Sequence, residues 1–396
     1  MESNYAKVIL GSGKDQSVRR SHPWIFSGAI KKIKGEVQEG DVVEVYSNHD
    51  ELLAMGHYQS GSIAVRVFAY EAVTPDVAFW TSKIQDAFDT RTAIGLIDNE
   101  QTNVYRLLFG EGDGMPGLII DFYNGTAVLQ SHSVGMYRSS MDISEALKNV
   151  LQHRLKAIYD KSDETLPKNL ELPSTNGLLW GKTLTNEVME NGFKFNIDWE
   201  KGQKTGFFID QRDNRLLLAH YCNGKKVLNT FCYSGGFSVY ALQAGASLVH
   251  SVDSSKKAIE LTEGNVALNF PKGAAHESFS IDTFAFLEST KEEYDVIILD
   301  PPAFAKHQHV KHNAVQGYKR LNAETIRKIK PGGILFTFSC SQVVDTDLFN
   351  STIMSAAIQA GRRVRVLHHL SQPADHAPSI FHPEGQYLKG LVLKIE

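Results

Sequence analysis

Three short stretches hold residues that could do chemistry. Cys340 stands between two serines at the end of the apolar run 333–338, just past a glycine turn at Gly332. A cysteine inside a strand is usually inert packing, whereas one past a strand end opens onto whatever that edge binds. As a thiolate it would be a strong nucleophile. Asp300-Pro301-Pro302-Ala303-Phe304 follows the apolar run 296–299. Its prolines hold a rigid turn with few backbone donors, so an acid there can hydrogen-bond a flat ring. Such a turn is common in loops; its place after a buried strand and downstream of a glycine turn gives it weight.

That glycine turn is Tyr233-Ser234-Gly235-Gly236. It joins the apolar run 227–231 to a helical period over 237–244, and a second apolar run, 248–252, ends on Asp253. Apolar runs of this length read as buried parallel strands, so the stretch is a βαβ unit. Glycines let the backbone approach a ligand, and an acid at the second strand end accepts from a ribose diol. The turn lacks the G-x-G-x-x-G spacing that cradles a pyrophosphate. S-adenosylmethionine carries a sulfonium and no phosphate, and needs no such cradle. Alone, the unit fits a methyl donor, a dinucleotide or an ordinary packing turn.

Two methyl acceptors compete. The acid, prolines and Phe304 resemble sites that modify exocyclic amines, with the ring stacked on the base. The other acceptor is C5 of cytosine, a poor nucleophile until a thiolate adds to C6. That chemistry needs a cysteine at the rim of the cofactor pocket, where Cys340 is placed. Cys232, inside the glycine turn, reads as packing or cofactor contact, and Cys222 has no evident role.

Alternating β and α segments over 191–396 predict a doubly wound α/β sheet. Helices are expected at 256–269, 283–287, 318–329 and 346–360, and strands at 277–281, 295–299, 333–338, 364–368 and 387–392. Ligands of such sheets sit at the carboxyl ends of the strands, where Asp253, Asp282, Asp300 and Cys340 fall. Residues 204–215, KTGFFIDQRDNR, read either as a helix start capped by Asp210 or as a lid over a cofactor. Residues 1–75 read as a small barrel, with strands at 6–10, 40–46 and 63–68. Residues 76–190 read as a small α+β unit: helices at 77–96 and 136–155, strands at 105–109, 118–122, 126–130 and 157–159, a hairpin at Asn124-Gly125, and a polar loop over 163–176. The turn at Glu111-Gly112-Asp113-Gly114 lacks the spacing of a calcium loop, so no metal is expected.

The chain has 396 residues, a formal net charge of −4 and three widely spaced cysteines. Cysteine usage fits a reducing cytosol and no zinc site or disulfide framework. No apolar run reaches the ~18 residues of a membrane span, and the first residues lack a secretory pattern. The cytoplasm is the expected compartment. Two segments are basic. Residues 1–35 carry Lys7, Lys14, Arg19, Arg20, Lys31, Lys32 and Lys34 against Glu2 and Asp15. Residues 301–330 carry Lys306, Lys311, Lys319, Arg320, Arg327, Lys328 and Lys330 against Glu324. Local patches of this kind bind phosphates even on an acidic chain, and otherwise are solvated faces.

The stretch RRSHPWIFSGAI at 19–30 resembles the start of a PUA domain, a module of RNA-modifying enzymes. With GEGDGMPGLIIDFY at 110–123, KTGFFIDQRDNR, LNTFCYSGGFS at 228–238, SVDSS, DPPAF, GYK at 317–319, FTFSCS and HPEGQYLKG at 382–390, the whole chain resembles the ribosomal RNA large subunit methyltransferase I family. The resemblance implies S-adenosyl-L-methionine as cofactor and 5-methylcytosine made in 23S ribosomal RNA. It also implies three domains: PUA (1–75), central α+β (76–190) and Rossmann-like methyltransferase (191–396). Carried over, Cys340 is the nucleophile, Asp300 is at the target base and Asp253 on the ribose. Asp282 meets the adenine amine, Phe231, Tyr233, Gly235 and Gly236 line the methionine end, and Asp210 lies near the amino-acid end. Arg19, Arg20, His22, Phe304, Lys319 and Arg320 are the expected RNA contacts. Many 5-methylcytosine enzymes carry a cysteine in the acid-proline turn; this chain does not, and the proton-abstracting base is unassigned. The alternatives are an amino-group methyltransferase and a non-catalytic RNA-binding factor. A homodimer stays open.

Overall fold

The structure, a computed structural model, describes residues 5–167, 176–182, 186–305 and 310–396. Most of the polar loop expected at 163–176, and Lys306 and Glu2 of the two charged segments, lie outside the described residues. The chain divides into two compact units: Met1–Asn186 with Asp198–Gly206 and Ala374–Gly385, and Glu187–Ile197 with Phe207–Pro373 and Gln386–Glu396.

The first unit holds two sheets. Strands β1 (Ala6–Leu10), β2 (Trp24–Phe26), β3 (Ile30–Lys34), β4 (Val42–Tyr46), β5 (Leu52–Tyr58) and β6 (Ile63–Ala69) form one, in the order β2-β6-β5-β4-β1-β3. No ladder joins β2 to β3, so the sheet is a half-barrel. It closes on Val8, Leu10, Ile25, Val43, Val45, Val65 and Val67. A single turn, α1 (Gln16–Arg19), follows β1. Helix α2 (Val77–Ala93) starts where the Asp76 carboxylate accepts from the Phe79 amide at 2.9 Å. Strands β7 (Val104–Phe109), β8 (Leu118–Tyr123), β9 (Thr126–Ser131), β10 (Ala157–Asp160) and β11 (Gly177–Gly181) form the second sheet. Asn124 and Gly125, with φ of 46° and 99°, make the β8–β9 hairpin turn. The helix expected over 136–155 is two helices, α3 (Val134–Arg138) and α4 (Ser140–Leu151), broken at Ser139 and stopped by Gln152 at φ 48°. The 110–114 turn is a short 3-10 helix whose Asp113 carboxylate takes two bonds from buried Arg91, at 2.6 and 2.8 Å. That pairing gives the turn a structural reason.

The second unit is built on one seven-stranded sheet. A hairpin, β12 (Glu187–Glu190) and β13 (Phe193–Asn196), precedes helix α5 (Arg212–Ala219). Then come β14 (Lys226–Thr230), α6 (Gly236–Gln243), β15 (Leu248–Asp253), α7 (Lys256–Asn269), β16 (His276–Ser280), α8 (Thr283–Ser289) and β17 (Val296–Leu299). The chain ends with α9 (Lys311–Lys328), β18 (Ile334–Ser339), α10 (Thr346–Ala360), β19 (Val364–Ser371) and β20 (Lys389–Ile395). The order is β16-β15-β14-β17-β18-β20-β19. The first five strands run parallel; β20 is antiparallel to both β18 and β19. The central strands β14, β17 and β18 are largely buried, as the middle of a parallel sheet must be, and Leu228, Ile297, Leu299 and Leu335 are fully buried. Strand order reverses between β14 and β17, and the crevice at such a reversal is where doubly wound sheets bind ligands. Among the described residues no helix is long and apolar enough to cross a membrane.

Candidate active site

The parallel strands bring the predicted residues to one rim. Asp282 follows β16, Asp253 ends β15, the glycine turn follows β14, Asp300 follows β17 and Cys340 follows β18. The turn is conformationally demanding. Phe231, Tyr233 and Gly235 have φ of 55°, 46° and 73°. Two aromatic residues in the left-handed region cost energy that the surroundings must supply, as is typical of ligand-binding turns. The Asp253 carboxylate is part of that support: Oδ2 accepts from the Tyr233 amide at 3.1 Å and Oδ1 from the Ser255 amide at 2.9 Å. Each oxygen keeps a second lone pair, so the carboxylate can still accept from a diol. A Cβ on Gly235 would lie 2.7 Å from Thr262 Cγ2, so the turn sits hard against α7 and takes no larger residue.

Beneath the turn is a buried ion pair. Arg215 donates to Glu190 at 2.8 and 2.7 Å, and both are at most 3% exposed. Burial works against the guanidinium charge, but the Glu190 carboxylate outweighs it and Arg215 is held more basic than usual. Arg215 also donates to the Phe208 carbonyl at 3.0 Å, and Tyr240 of α6 donates to Glu190 at 2.9 Å. Arg215 Cδ would stand 3.0 Å from a Cβ on Gly236. One pair thus fastens the hairpin, the 204–215 loop and the helix that starts at the glycine turn.

The 204–215 loop reaches both halves of the rim. Gln211 donates to Asp300 Oδ2 at 2.9 Å and is itself held by Asn214 at 2.7 Å. Phe208 packs edge-on to Tyr233, 5.1 Å between centroids. Asp210 is not a helix cap, which corrects one of the two sequence readings. Gln211 occupies the N-cap position of α5 without a side-chain bond. The Asp210 carboxylate instead accepts from the Tyr387 hydroxyl at 2.6 Å. Asp282 caps α8 through the Phe284 and Ala285 amides, at 2.9 and 3.1 Å, and is exposed.

Cys340 is half-buried, whereas Cys222 and Cys232 are buried and desolvation pushes both thiols up to about 12. Among the three, Cys340 alone is not buried. The Ser341 hydroxyl donates to the Ala305 carbonyl at 2.7 Å, tying the cysteine turn to the acid-proline turn. Phe304 is half-buried, its ring 4.6 Å from Tyr318 and against Gly317. On α9, Lys319 is half-buried, and Arg320 is exposed and lies over Phe284 at 4.7 Å. In the first unit, Arg20 is exposed. Arg19 pairs with Asp15 at 2.7 Å and with Glu51, and its charge is locally met. His22 Nδ1 accepts from the Trp24 amide at 3.1 Å. Sequence reasoning missed Glu190, Gln211, Asn214 and Tyr387 as partners.

The donor set suits S-adenosylmethionine. The rim carries four acids, Asp210, Asp253, Asp282 and Asp300, which favour a cationic sulfonium and ammonium over a pyrophosphate. Comparison with known proteins agrees. Residues 164–379 match the S-adenosylmethionine-dependent methyltransferase family and residues 8–70 a PUA-like domain. Ribosomal RNA large subunit methyltransferase I of Aeromonas hydrophila is 39% identical over 98% of this chain and 99% of its own. The enzymes of that name from Alteromonas mediterranea and Escherichia coli are each 37% identical at the same coverage. A methyltransferase solved with SAH superposes with a TM-score of 0.84 at 24% identity, covering 98% of this chain and 99% of that one. A protein from Streptococcus mutans gives 0.82 at 23%, with the same coverage. Both share the whole fold.

Replacing Arg215→Met leaves Glu190 charged and buried, and should cost about 3–5 kcal/mol. Removing both charges, Glu190→Met with Arg215→Met, should cost less than the single change. Urea unfolding followed by circular dichroism measures both, and a single variant no less stable than the wild type contradicts the role given to the pair.

Proposed function

The chain belongs to the ribosomal RNA large subunit methyltransferase I family and to the S-adenosylmethionine-dependent methyltransferases, and on that premise we propose that it methylates C5 of a cytosine in 23S ribosomal RNA through Cys340. The observation that carries this reading is the place of Cys340. It follows the strand two over from the glycine turn, with Asp300 after the strand between.

S-adenosylmethionine supplies an electrophilic methyl group on a sulfonium. The Cys340 thiolate adds to C6 of the cytosine, its lone pair forming the S–C6 bond, and the displaced π electrons make C5 nucleophilic. C5 would take the methyl group as the methyl–sulfur bond breaks, its electron pair staying on sulfur to leave S-adenosylhomocysteine. A general base removes the C5 proton, that electron pair restores the C5–C6 double bond, and the S–C6 bond breaks to return the thiolate. Asp300, oriented by Gln211, holds the base, with Phe304 beside it. Asp253 would hold the ribose diol and Asp282 the adenine amine. Phe231, Tyr233, Gly235 and Gly236 would line the methionine end, with Asp210 near the amino acid. To reach Cys340 the cytosine must leave its stack or lie in an open loop. Three domains, divided near 75 and 190, fit this division of labour, with the PUA-like part binding RNA. Ribosomal RNA as substrate puts the enzyme in the cytoplasm.

Cys340→Ala should lower rRNA methylation on the order of a thousandfold or more, with S-adenosylmethionine binding by calorimetry unchanged. Mass analysis of the modified nucleoside should give 5-methylcytidine. Retained turnover, or an N-methylated adenosine or guanosine, would favour amino-group chemistry instead.

For RNA binding, neutralising Arg20, Lys319 and Arg320 together should flatten the log–log salt dependence by about 2. Arg19→Gln should do less, because Asp15 and Glu51 already meet its charge. A filter-binding salt series that leaves the triple variant's slope unmoved rules those side chains out as phosphate contacts.

A further inference from the structure

We propose that Lys389 is the counter-charge of the Cys340 thiolate, a positioning residue that keeps the nucleophile ionised. The inference rests on Cys340 as nucleophile and adds the group that activates it.

Because β20 runs antiparallel to β18, its first residue enters the sheet at the rim where β18 ends. The register pairs Lys389 with Ser339 and Gly390 with Phe338. A Cβ at position 390 would come 2.5 Å from Phe338 Cδ1, so glycine there leaves room for the Phe338 ring. Lys389 is 6% exposed, and its Nζ donates to the Ser341 carbonyl at 2.6 Å, one residue past Cys340. Lysine is almost never buried so deeply without a charge partner. A neutral carbonyl occupies one of three N–H donors and balances no charge.

Among the described residues, Cys340 and Asp345 are the groups whose negative charge acts on the ammonium, and Tyr318 feels both Cys340 and Asp300. Asp345 is exposed and caps α10 through the Leu348 amide at 2.8 Å, so solvent screens its charge more than that of a half-buried thiolate. Burial depresses Lys389 to about 8, with Cys340 and Asp345 opposing the shift. A negative charge on Cys340 thus favours the ammonium, and the ammonium favours the thiolate.

The charge serves both halves of the reaction. Cys340 gives its proton to solvent, and the thiolate is paired in place. On addition to C6 the negative charge passes to the pyrimidine ring. On elimination it returns to sulfur, where a stabilised thiolate leaves faster.

The test is alkylation of Cys340 by iodoacetamide in the full chain without RNA, read by peptide mass between pH 5.5 and 10. Cys222 and Cys232 are buried and compete little. The wild-type profile should have its midpoint below the about 8.5 of an ordinary thiol. Lys389→Met should move the profile to higher pH and slow alkylation at pH 7 about tenfold, and Lys389→Arg should restore it. A wild-type midpoint at or above 8.5 overturns the proposal, and needs no variant to fold. So does a folded Lys389→Met protein, normal by circular dichroism, whose profile does not move. Neither result depends on turnover, so a failure here and a failure of Cys340 as nucleophile are told apart by the activity of Cys340→Ala.

Discussion

Five neighbouring strands running in one direction are the constraint on which the site depends. Parallel pairing puts every carboxyl end on the same rim, so each strand delivers candidate site residues there without a long loop. Adjacent strands are about 4.8 Å apart, which sets the glycine turn after β14 and Cys340 after β18 roughly 10 Å from each other across the sheet. That interval suits a methyl donor over one end and a flat base over the other, with Asp300 between them. The antiparallel β20 adds what a parallel strand could not, a residue that enters the sheet at the rim.

Rim residues are only useful if they are held still, and much of the second unit's polar interior does this. The Arg215–Glu190 pair is expensive to bury and is kept because it fastens three elements to the underside of the glycine turn. Asn214, Gln211 and Asp300 form a second line of support, and Tyr387 to Asp210 a third. Most of these partners are far apart in sequence, so the site exists only once the sheet has closed. The left-handed Phe231 and Tyr233 are tolerated for the same reason: the Asp253 carboxylate and the α7 surface leave the turn no other path.

Much of this was legible in the chain. The central parallel strands read as short apolar runs, and the helices Lys256–Asn269 and Thr346–Ala360 have the bounds their periodicity predicts. Family membership follows from motifs in order along the whole length. Less legible were the short half-barrel strands; β3 reads IKKIK, and its charges hide the alternation. The break at Ser139 was missed because both flanks keep helical period. Asp210 looks like a cap because caps are local, whereas its partner Tyr387 lies 177 residues away. Lys389 falls in a strand that the pattern found, but direction and register are tertiary properties, and its burial could not be read from spacing. Arg19 reads as free basic surface until Glu51 is brought beside it.

The central claim is that one thiol and one methyl donor serve the same cytosine. Target rRNA carrying 5-fluorocytidine tests it directly, because fluorine at C5 cannot leave as a proton and the covalent adduct is trapped. With S-adenosylmethionine present, the account predicts an RNA–protein adduct whose mass places the methylated fluoropyrimidine on the peptide containing Cys340. No adduct, or one joined to any other residue, would contradict it.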